Sequence, residues 1–195
     1  MFFRYLIAIR DLKAGELIFT ESPIAYSPGQ HEDTCLVCLK STRDLSPCPR
    51  CWWPVCSETC QKSPIHKSEC RYLATCTVSG EDTSLPIRHV LALRCLLLKT
   101  TNPRAWERLV RLKGHHGAQE IVKSDEDHIQ DFAYRDLALF IINDCGLTNI
   151  SALEMSLVYT LLSHSSLAMM VHGVEYQGLF MTAALMTQSC VQNTR

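Results

Sequence analysis

The feature that most limits what this chain can fold into is a set of eight potential metal ligands between residues 35 and 70. They are spaced Cys35-x2-Cys38-x9-Cys48-x2-Cys51-x4-Cys56-x3-Cys60-x5-His66-x3-Cys70. A Cys-x2-Cys turn brings two thiolates to one tetrahedral ion at about 2.3 Å, and an x3 interval sets two ligands at i and i+4 on one helical face. Two knuckles and two helical pairs therefore make two sites of four ligands. Neighbouring pairs could share an ion, but the compact solution interleaves them. Cys35, Cys38, Cys56 and Cys60 are expected to hold one zinc ion, and Cys48, Cys51, His66 and Cys70 the other. Protein fills every position and leaves none for water, which is the pattern of structural rather than catalytic zinc. A structural zinc contributes roughly 10–16 kcal/mol of apparent binding free energy, and so short a segment buries too little surface to fold without it.

The rest of the composition describes what surrounds this module. The chain has 195 residues, 47% of them apolar, with 8 Gly, 8 Pro and a formal charge of -1. This is the balance of a folded globular protein of one medium domain or two small ones. The apolar run Leu6 to Ile9 lies between Arg4 and Arg10 and is shorter than the roughly 7–15 residues of a signal core. Arg94 interrupts the longest apolar stretch, Val90 to Leu98, so no membrane span is expected. The expected location is intracellular, cytoplasmic or nuclear, where eleven cysteines stay reduced and available to metal. Cys76, Cys95, Cys145 and Cys190 fall outside the cluster and read as small buried hydrophobes.

Periodicity divides the chain into parts. Arg4 to Glu21 reads as two short strands around a Lys13-Ala-Gly-Glu16 turn, and Ser22 to Thr34, with Pro23, Pro28 and Gly29, as a connection. From Pro86 the pattern is helical. Val90, Leu91, Leu93, Leu97 and Leu98 suit a buried helix, and Asn102-Pro103 opens another over Ala105 to Lys113, closed by Gly114. A segment from Ser124 to Asp144 carries Ile129, Phe132, Leu137, Phe140 and Ile141 on one face and ends at Gly146. Ser151 and Glu154 form a capping box for a helix to about Leu162. Ser165 to Arg195, around Gly173 and Gly178, reads as short strands. His115 and His116 read as solvated, and His164 and His172 carry no motif.

Charge bears on the partner. Between Cys35 and Cys70 there are five basic residues (Lys40, Arg43, Arg50, Lys62, Lys67) and three acidic ones (Asp44, Glu58, Glu69). With seven thiolates and two divalent ions the module comes to -1. A duplex-binding finger is strongly positive, so sequence-specific nucleic-acid binding is not expected. Trp52-Trp53-Pro54 suits a protein or peptide partner or, more often for such a pair, a tryptophan bracing a small core.

The ligand order, with Cys56-Ser-Glu-Thr-Cys60-Gln61 and His66-Lys67-Ser-Glu69-Cys70, resembles the MYND zinc finger. Arg4-Tyr5-Leu6 through Arg10-Asp11-Leu12-Lys13-Ala14-Gly15-Glu16 resembles the opening of a SET domain. Gly178-Leu179-Phe180 through Thr187-Gln188-Ser189-Cys190 resembles its cofactor-binding strand and knot. Together these are similar to the SET-and-MYND family, most of all its arthropod members. The resemblance implies an α+β fold in which a double-zinc finger and a helical insert interrupt an incomplete, β-rich SET domain. The expected parts are an N-terminal SET segment 1–30, a finger 35–70, an insert 71–164 and a SET core segment 165–195.

The resemblance also implies protein lysine methylation with S-adenosylmethionine. The family opens with Gly-Arg where this chain has Phe3-Arg4, and a phenylalanine cannot make glycine's close backbone approach. The family's Asn-His-Ser-Cys is here Thr187-Gln188-Ser189-Cys190, and its upstream asparagine aligns with Ser165. The chain ends at Arg195, before the strand that bears the family's catalytic tyrosine, and neither Tyr159 nor Tyr176 matches that motif. The cysteine-rich stretch that would join Cys190 at a third zinc is also missing. The expectation is a regulatory or interaction protein that uses its finger without catalysis, the alternative being an S-adenosylmethionine-dependent lysine methyltransferase.

Overall fold

Nine consecutive residues, Val90 to Leu98, carry one charge among apolar side chains, and a helix that is apolar nearly all round has to be buried on all sides. In the computed structural model this stretch is the middle of a helix that five other elements pack against. The structure describes residues 6–29, 34–41, 45–76, 87–112, 131–171 and 173–186. In chain order the elements are β1 (Ala25–Pro28), β2 (Ser46–Pro47), β3 (Pro54–Val55), α1 (Glu58–Gln61), α2 (Pro64–Leu73), α3 (Ile87–Thr101) and α4 (Pro103–Leu112). These are followed by α5 (Phe132–Leu139), a π-turn (Phe140–Asp144), α6 (Ala152–Ser165), β4 (Ser166–Val171), β5 (Val174–Leu179) and a 3₁₀ turn (Ala183–Leu185). The fold is α+β, and α3 packs against β1, α2, α4, α6 and the π-turn.

Local signals set the helix starts. The Asn102 side chain accepts the Ala105 N–H at 3.1 Å, and Pro103 stands at the first helical position of α4. Ala105, Leu109 and Leu112 then form the buried stripe. Ser151 Oγ accepts the Glu154 N–H at 3.2 Å while Glu154 accepts the Ser151 N–H at 2.8 Å, the reciprocal pair expected of a capping box. Glu154 also holds Lys99 of α3 at 2.6 Å, so the start of α6 is tied to α3. α6 runs beyond Leu162 to Ser165, which is buried. α5 starts at Asp131, whose carboxylate accepts the Ala133 N–H at 2.9 Å. Leu137, Phe140 and Ile141 are buried, whereas Phe132 is 83% exposed. At about 100° per residue it points some 140° away from Leu137, off the shared face. Gly146 ends this segment at φ +64°.

The sheet has the order β1-β5-β4 and is antiparallel throughout. β4 and β5 form a hairpin with Val171 opposite Val174, its turn made by Gly173 at φ +78°. β1 pairs with the other edge of β5, Ala25 opposite Leu179. This strand lies inside Ser22 to Thr34, which the turn residues mark as a connection; Ala25, Tyr26 and Ser27 are extended because β5 offers them a hydrogen-bonding edge. The two strands expected between Arg4 and Glu21 do not form among the described residues. Only the turn does, with the Glu16 N–H donating to the Lys13 carbonyl at 3.0 Å and Gly15 at φ +81°. Among the described residues no neighbouring strand satisfies the backbone around it, and Ile7, Ile9 and Leu17 are exposed. A hairpin of that size is marginal without a sheet or helix to lie on.

Glu21 joins this arm to the far end of β5, its carboxylate accepting the N–H groups of Thr182 at 2.8 Å and Ala183 at 3.0 Å. Phe3, Arg4, Tyr5, Pro86, Gly114, His115, His116, Ser124, Ile129, His172 and the 187–195 segment lie outside the described residues. Gly29 shows how closely β1 is fitted. Its N–H donates to the Glu175 carbonyl at 2.8 Å, and a Cβ there would stand 2.7 Å from the same oxygen. Gly29→Ala is therefore expected to lower stability by about 1–3 kcal/mol. In urea unfolding at saturating zinc this would be a lower midpoint with unchanged slope.

Candidate metal centre

The residues from Thr34 to Leu73 build two similar loops and two short helices. Each Cys-x2-Cys turn closes a minimal hairpin: Thr34 bridges Ser41 around the first, and β2 pairs with β3 around the second. The hydrogen bonds repeat. Leu39 N–H donates to Cys35 C=O at 3.1 Å and Cys35 N–H to Lys40 C=O at 3.0 Å. Trp52 N–H donates to Cys48 C=O at 2.8 Å and Cys48 N–H to Trp53 C=O at 2.9 Å. In both loops the residue after the second cysteine has a left-handed backbone, Leu39 at φ +61° and Trp52 at φ +64°. For a non-glycine residue this costs on the order of 1–2 kcal/mol, which the closed hydrogen-bond pattern must offset.

The helices carry the other ligands. Ser57 caps α1 by accepting the Cys60 N–H at 3.3 Å, leaving Cys56 just before the helix and Cys60 inside it. Ser63 caps α2 by accepting the His66 N–H at 3.2 Å, with Pro64 at its first position, so His66 and Cys70 share one face. The structure thus brings Cys35, Cys38, Cys56 and Cys60 into one group, and Cys48, Cys51, His66 and Cys70 into a second. Within each group all ligand atoms lie within 4.8 Å of one another. The pairs interleave along the chain as a cross-brace.

The donor set and its spacing fit zinc. Four ligands at about 2.3 Å from a tetrahedral centre stand about 3.8 Å apart. The sulphur separations are 3.4 Å for Cys38 and Cys56, 3.6 Å for Cys56 and Cys60, and 3.9 Å for Cys48 and Cys70. His66 Nε2 is 3.7 Å from Cys51 Sγ. These are far longer than the roughly 2.05 Å of a disulfide. Burial pushes the Cys51 thiol upward. Burial acts to raise Cys48 as well, but hydrogen bonding from His66 and from the backbone N–H groups of Cys51 and Arg50 outweighs it and lowers that thiol to about 6. A divalent cation would keep four such groups in their ligating forms together.

Two charged residues that ligand spacing does not reveal stand behind the second group. His66 Nδ1 is buried with no hydrogen-bond partner among the described residues and lies 3.8 Å from Glu69 Oε1. Glu69 is wholly buried and accepts Arg94 Nε at 2.6 Å and Nη2 at 2.7 Å. Burial opposes ionisation of Glu69, and the Arg94 charge and hydrogen bonds overcome it and hold the carboxyl below its usual range. The available signal was the position of the two residues: a carboxylate between two ligands of one helix, and a lone arginine in an apolar run.

Trp53 is buried at 1% exposure, while Trp52 is 73% exposed. Among the other cysteines, Cys95 and Cys145 are buried and Cys76 is partly buried; Cys190 lies outside the described residues. His164 Nδ1 is 2.9 Å from the Thr160 carbonyl within α6. Among the described residues no helix is long and apolar enough to cross a membrane.

No family model matches the chain. Human histone-lysine N-methyltransferase SMYD3 is 38% identical over 76 residues, which are 36% of this chain and 18% of that protein. The mouse protein of the same name is 37% identical over the same shares. SET domain-containing protein SmydA-8, isoform B, of Drosophila melanogaster is 25% identical over 209 aligned positions, 97% of this chain and 42% of that protein. The chain spans less than half the length of these curated relatives. Its four-cysteine group and its group of three cysteines and one histidine have the donor sets of a zinc finger, and the chain is similar to SET-and-MYND proteins.

Burial raises the thiol of Cys95 to about 12 and that of Cys76 to about 11. Because the shifts are upward, the reactive thiolate is scarce until pH rises well above 8. At pH 8 the native chain should alkylate Cys95 about 10³-fold more slowly than a free thiol of pKa near 8.5. Peptide mass spectrometry after a timed iodoacetamide pulse checks this, and modification of Cys95 at the free-thiol rate would contradict it.

Proposed function

We propose that the chain carries a MYND-type finger held by two structural zinc ions on a SET-type scaffold, and that it works by binding a protein or peptide partner without methyl transfer. Cys35, Cys38, Cys56 and Cys60 hold one ion, and Cys48, Cys51, His66 and Cys70 the other. The observation that carries this reading is the closure of both groups: each has four protein ligands at tetrahedral spacing and no place for a reacting water. The ions substitute for the core that so short a segment lacks.

The division of the tryptophan pair supports the partner. Trp53 braces the finger from within, and the left-handed turn at Trp52 presents an indole to solvent beside the second knuckle. Exposed aromatic side chains on rigid loops make strong protein contacts. The near-neutral module does not favour a nucleic-acid duplex, and no membrane partner is called for. The parts are a SET-type segment 1–30, the finger 35–70, a helical insert 71–164 and a SET-type core segment 165–195, in a protein that works inside the cell.

Phe3, Thr187 and Gln188 replace residues that the SET resemblance implies for S-adenosylmethionine, which favours binding over catalysis. A second reading, S-adenosylmethionine-dependent methylation of protein lysines, rests on the partial identity with relatives named histone-lysine N-methyltransferase. Transfer of a labelled methyl group to protein lysines would establish it.

The purified chain should contain two zinc ions, and a strong chelator should remove them with loss of α1 and α2 from the circular dichroism spectrum. Calorimetric titration with S-adenosylmethionine should give no saturable binding; micromolar affinity would overturn the non-catalytic reading. Trp52→Ala should keep both zinc ions and change stability by less than about 0.5 kcal/mol, as an exposed substitution does. It should also weaken, by tenfold or more, binding to peptides selected on the native chain.

A further inference from the structure

We infer that Arg94, in the middle of α3, is a positioning residue for both metal groups at once, and that it joins them to the helical layer and the sheet as one unit. The inference rests on the zinc reading above. It goes beyond that reading because Arg94 is not a ligand and is far in sequence from every ligand.

The guanidinium is buried, with 7% of the residue exposed, and its contacts lead in three directions. Toward the second group, Nε and Nη2 clamp the two oxygens of Glu69 at 2.6 and 2.7 Å. Glu69 stands between His66 and Cys70 on α2, with one oxygen 3.8 Å from the ring nitrogen of His66 that faces away from the sulphurs. Toward the first group, Nη2 donates to the carbonyl of Leu36 at 3.0 Å, inside the knuckle between Cys35 and Cys38. Toward the sheet, Nη1 donates to the Tyr26 carbonyl of β1, and the guanidinium lies over the Tyr26 ring, 5.2 Å from its centroid. The Tyr26 hydroxyl then donates to Val37 C=O at 2.6 Å, a second anchor on the first knuckle.

Two physical consequences follow. A planar fork meets a carboxylate and two carbonyls in fixed directions, and a lysine ammonium cannot reproduce this geometry. A charge without water is also intolerant of losing a partner, so these contacts stand or fall together. Glu69 confines the imidazole of His66, and Leu36 and Val37 confine the loop that aims Cys35 and Cys38. Groups behind a metal ligand that orient it typically change metal affinity by 10- to 100-fold when removed. Here a single residue reaches both.

The test measures zinc release from the full chain to a chelating chromophore under native conditions. The proteins are wild type, Arg94→Lys, Arg94→Leu, Glu69→Gln and Leu97→Ala, the last removing a buried side chain of the same helix. Cobalt substitution tells the two groups apart, because a site of four thiolates and a site of three thiolates and one imidazole absorb at different wavelengths. Arg94→Lys and Arg94→Leu are expected to speed loss from both groups by about 10- to 100-fold, Glu69→Gln chiefly from the group that contains His66, and Leu97→Ala from neither by more than a few-fold. Should Arg94→Leu fail to fold, Arg94→Lys, which keeps the charge, decides. Release from the Arg94→Lys protein at the wild-type or Leu97→Ala rate, or acceleration at one group alone, overturns the inference. A wild-type chain holding fewer than two zinc ions overturns the zinc reading instead.

Discussion

The buried pair of Arg94 and Glu69 is the contact around which the described parts of this protein are arranged. Removing both charges from water is unfavourable by several kcal/mol per ion, so the pair persists only where geometry and additional hydrogen bonds offset that loss. Here the carboxylate takes two donors of the guanidinium, and backbone carbonyls of Tyr26 and Leu36 take others. Each partner comes from a different part of the chain: α2 of the finger, the first knuckle, β1 of the sheet and α3 of the helical layer. An apolar contact of the same area would allow these parts to slide; a set of directed bonds does not.

The finger is organised differently from the layers behind it. Its order is local, made of two loops with the same hydrogen-bond pattern and the same left-handed residue after the second cysteine, followed by two helices with serine caps. Metal held by the two ligand groups would close the loops, and Trp53 with Leu36 and Leu73 supplies the small core beneath. The larger layer depends on burial instead, with α3 enclosed by α2, α4, α6 and the sheet. Glu69 and Arg94 lie where these two kinds of order meet.

The sheet explains why the ends of the described chain meet. β1 reaches across to β5, and Glu21 caps the backbone just beyond β5 through Thr182 and Ala183. The finger and the helices are thereby inserted between segments that close on each other in space. The likeness to the Drosophila protein runs along 97% of the chain at 25% identity. The arm between Leu6 and Thr20 does not join the sheet, and its exposed Ile7, Ile9 and Leu17 show that alternation of apolar residues does not make a strand without an edge to pair with.

What the sequence determined by itself is what nearest neighbours along the chain decide. The x2 and x3 intervals set which cysteines can face together, Asn102-Pro103 and the Ser151–Glu154 box start their helices, and Gly173 permits the β4–β5 turn. These choices depend on a few adjacent residues, and so they are written in spacing. The tertiary structure alone decided that Ser22 to Thr34 contains a strand, because Ala25 to Pro28 are extended only when β5 lies beside them. It also decided that Trp52 faces solvent while Trp53 is buried, since that follows from a left-handed residue which side-chain identity did not announce. Above all it decided what Arg94 does. In sequence this residue only interrupts an apolar run. Its role comes from Glu69 and Leu36, 25 and 58 positions away, which no local pattern can bring together.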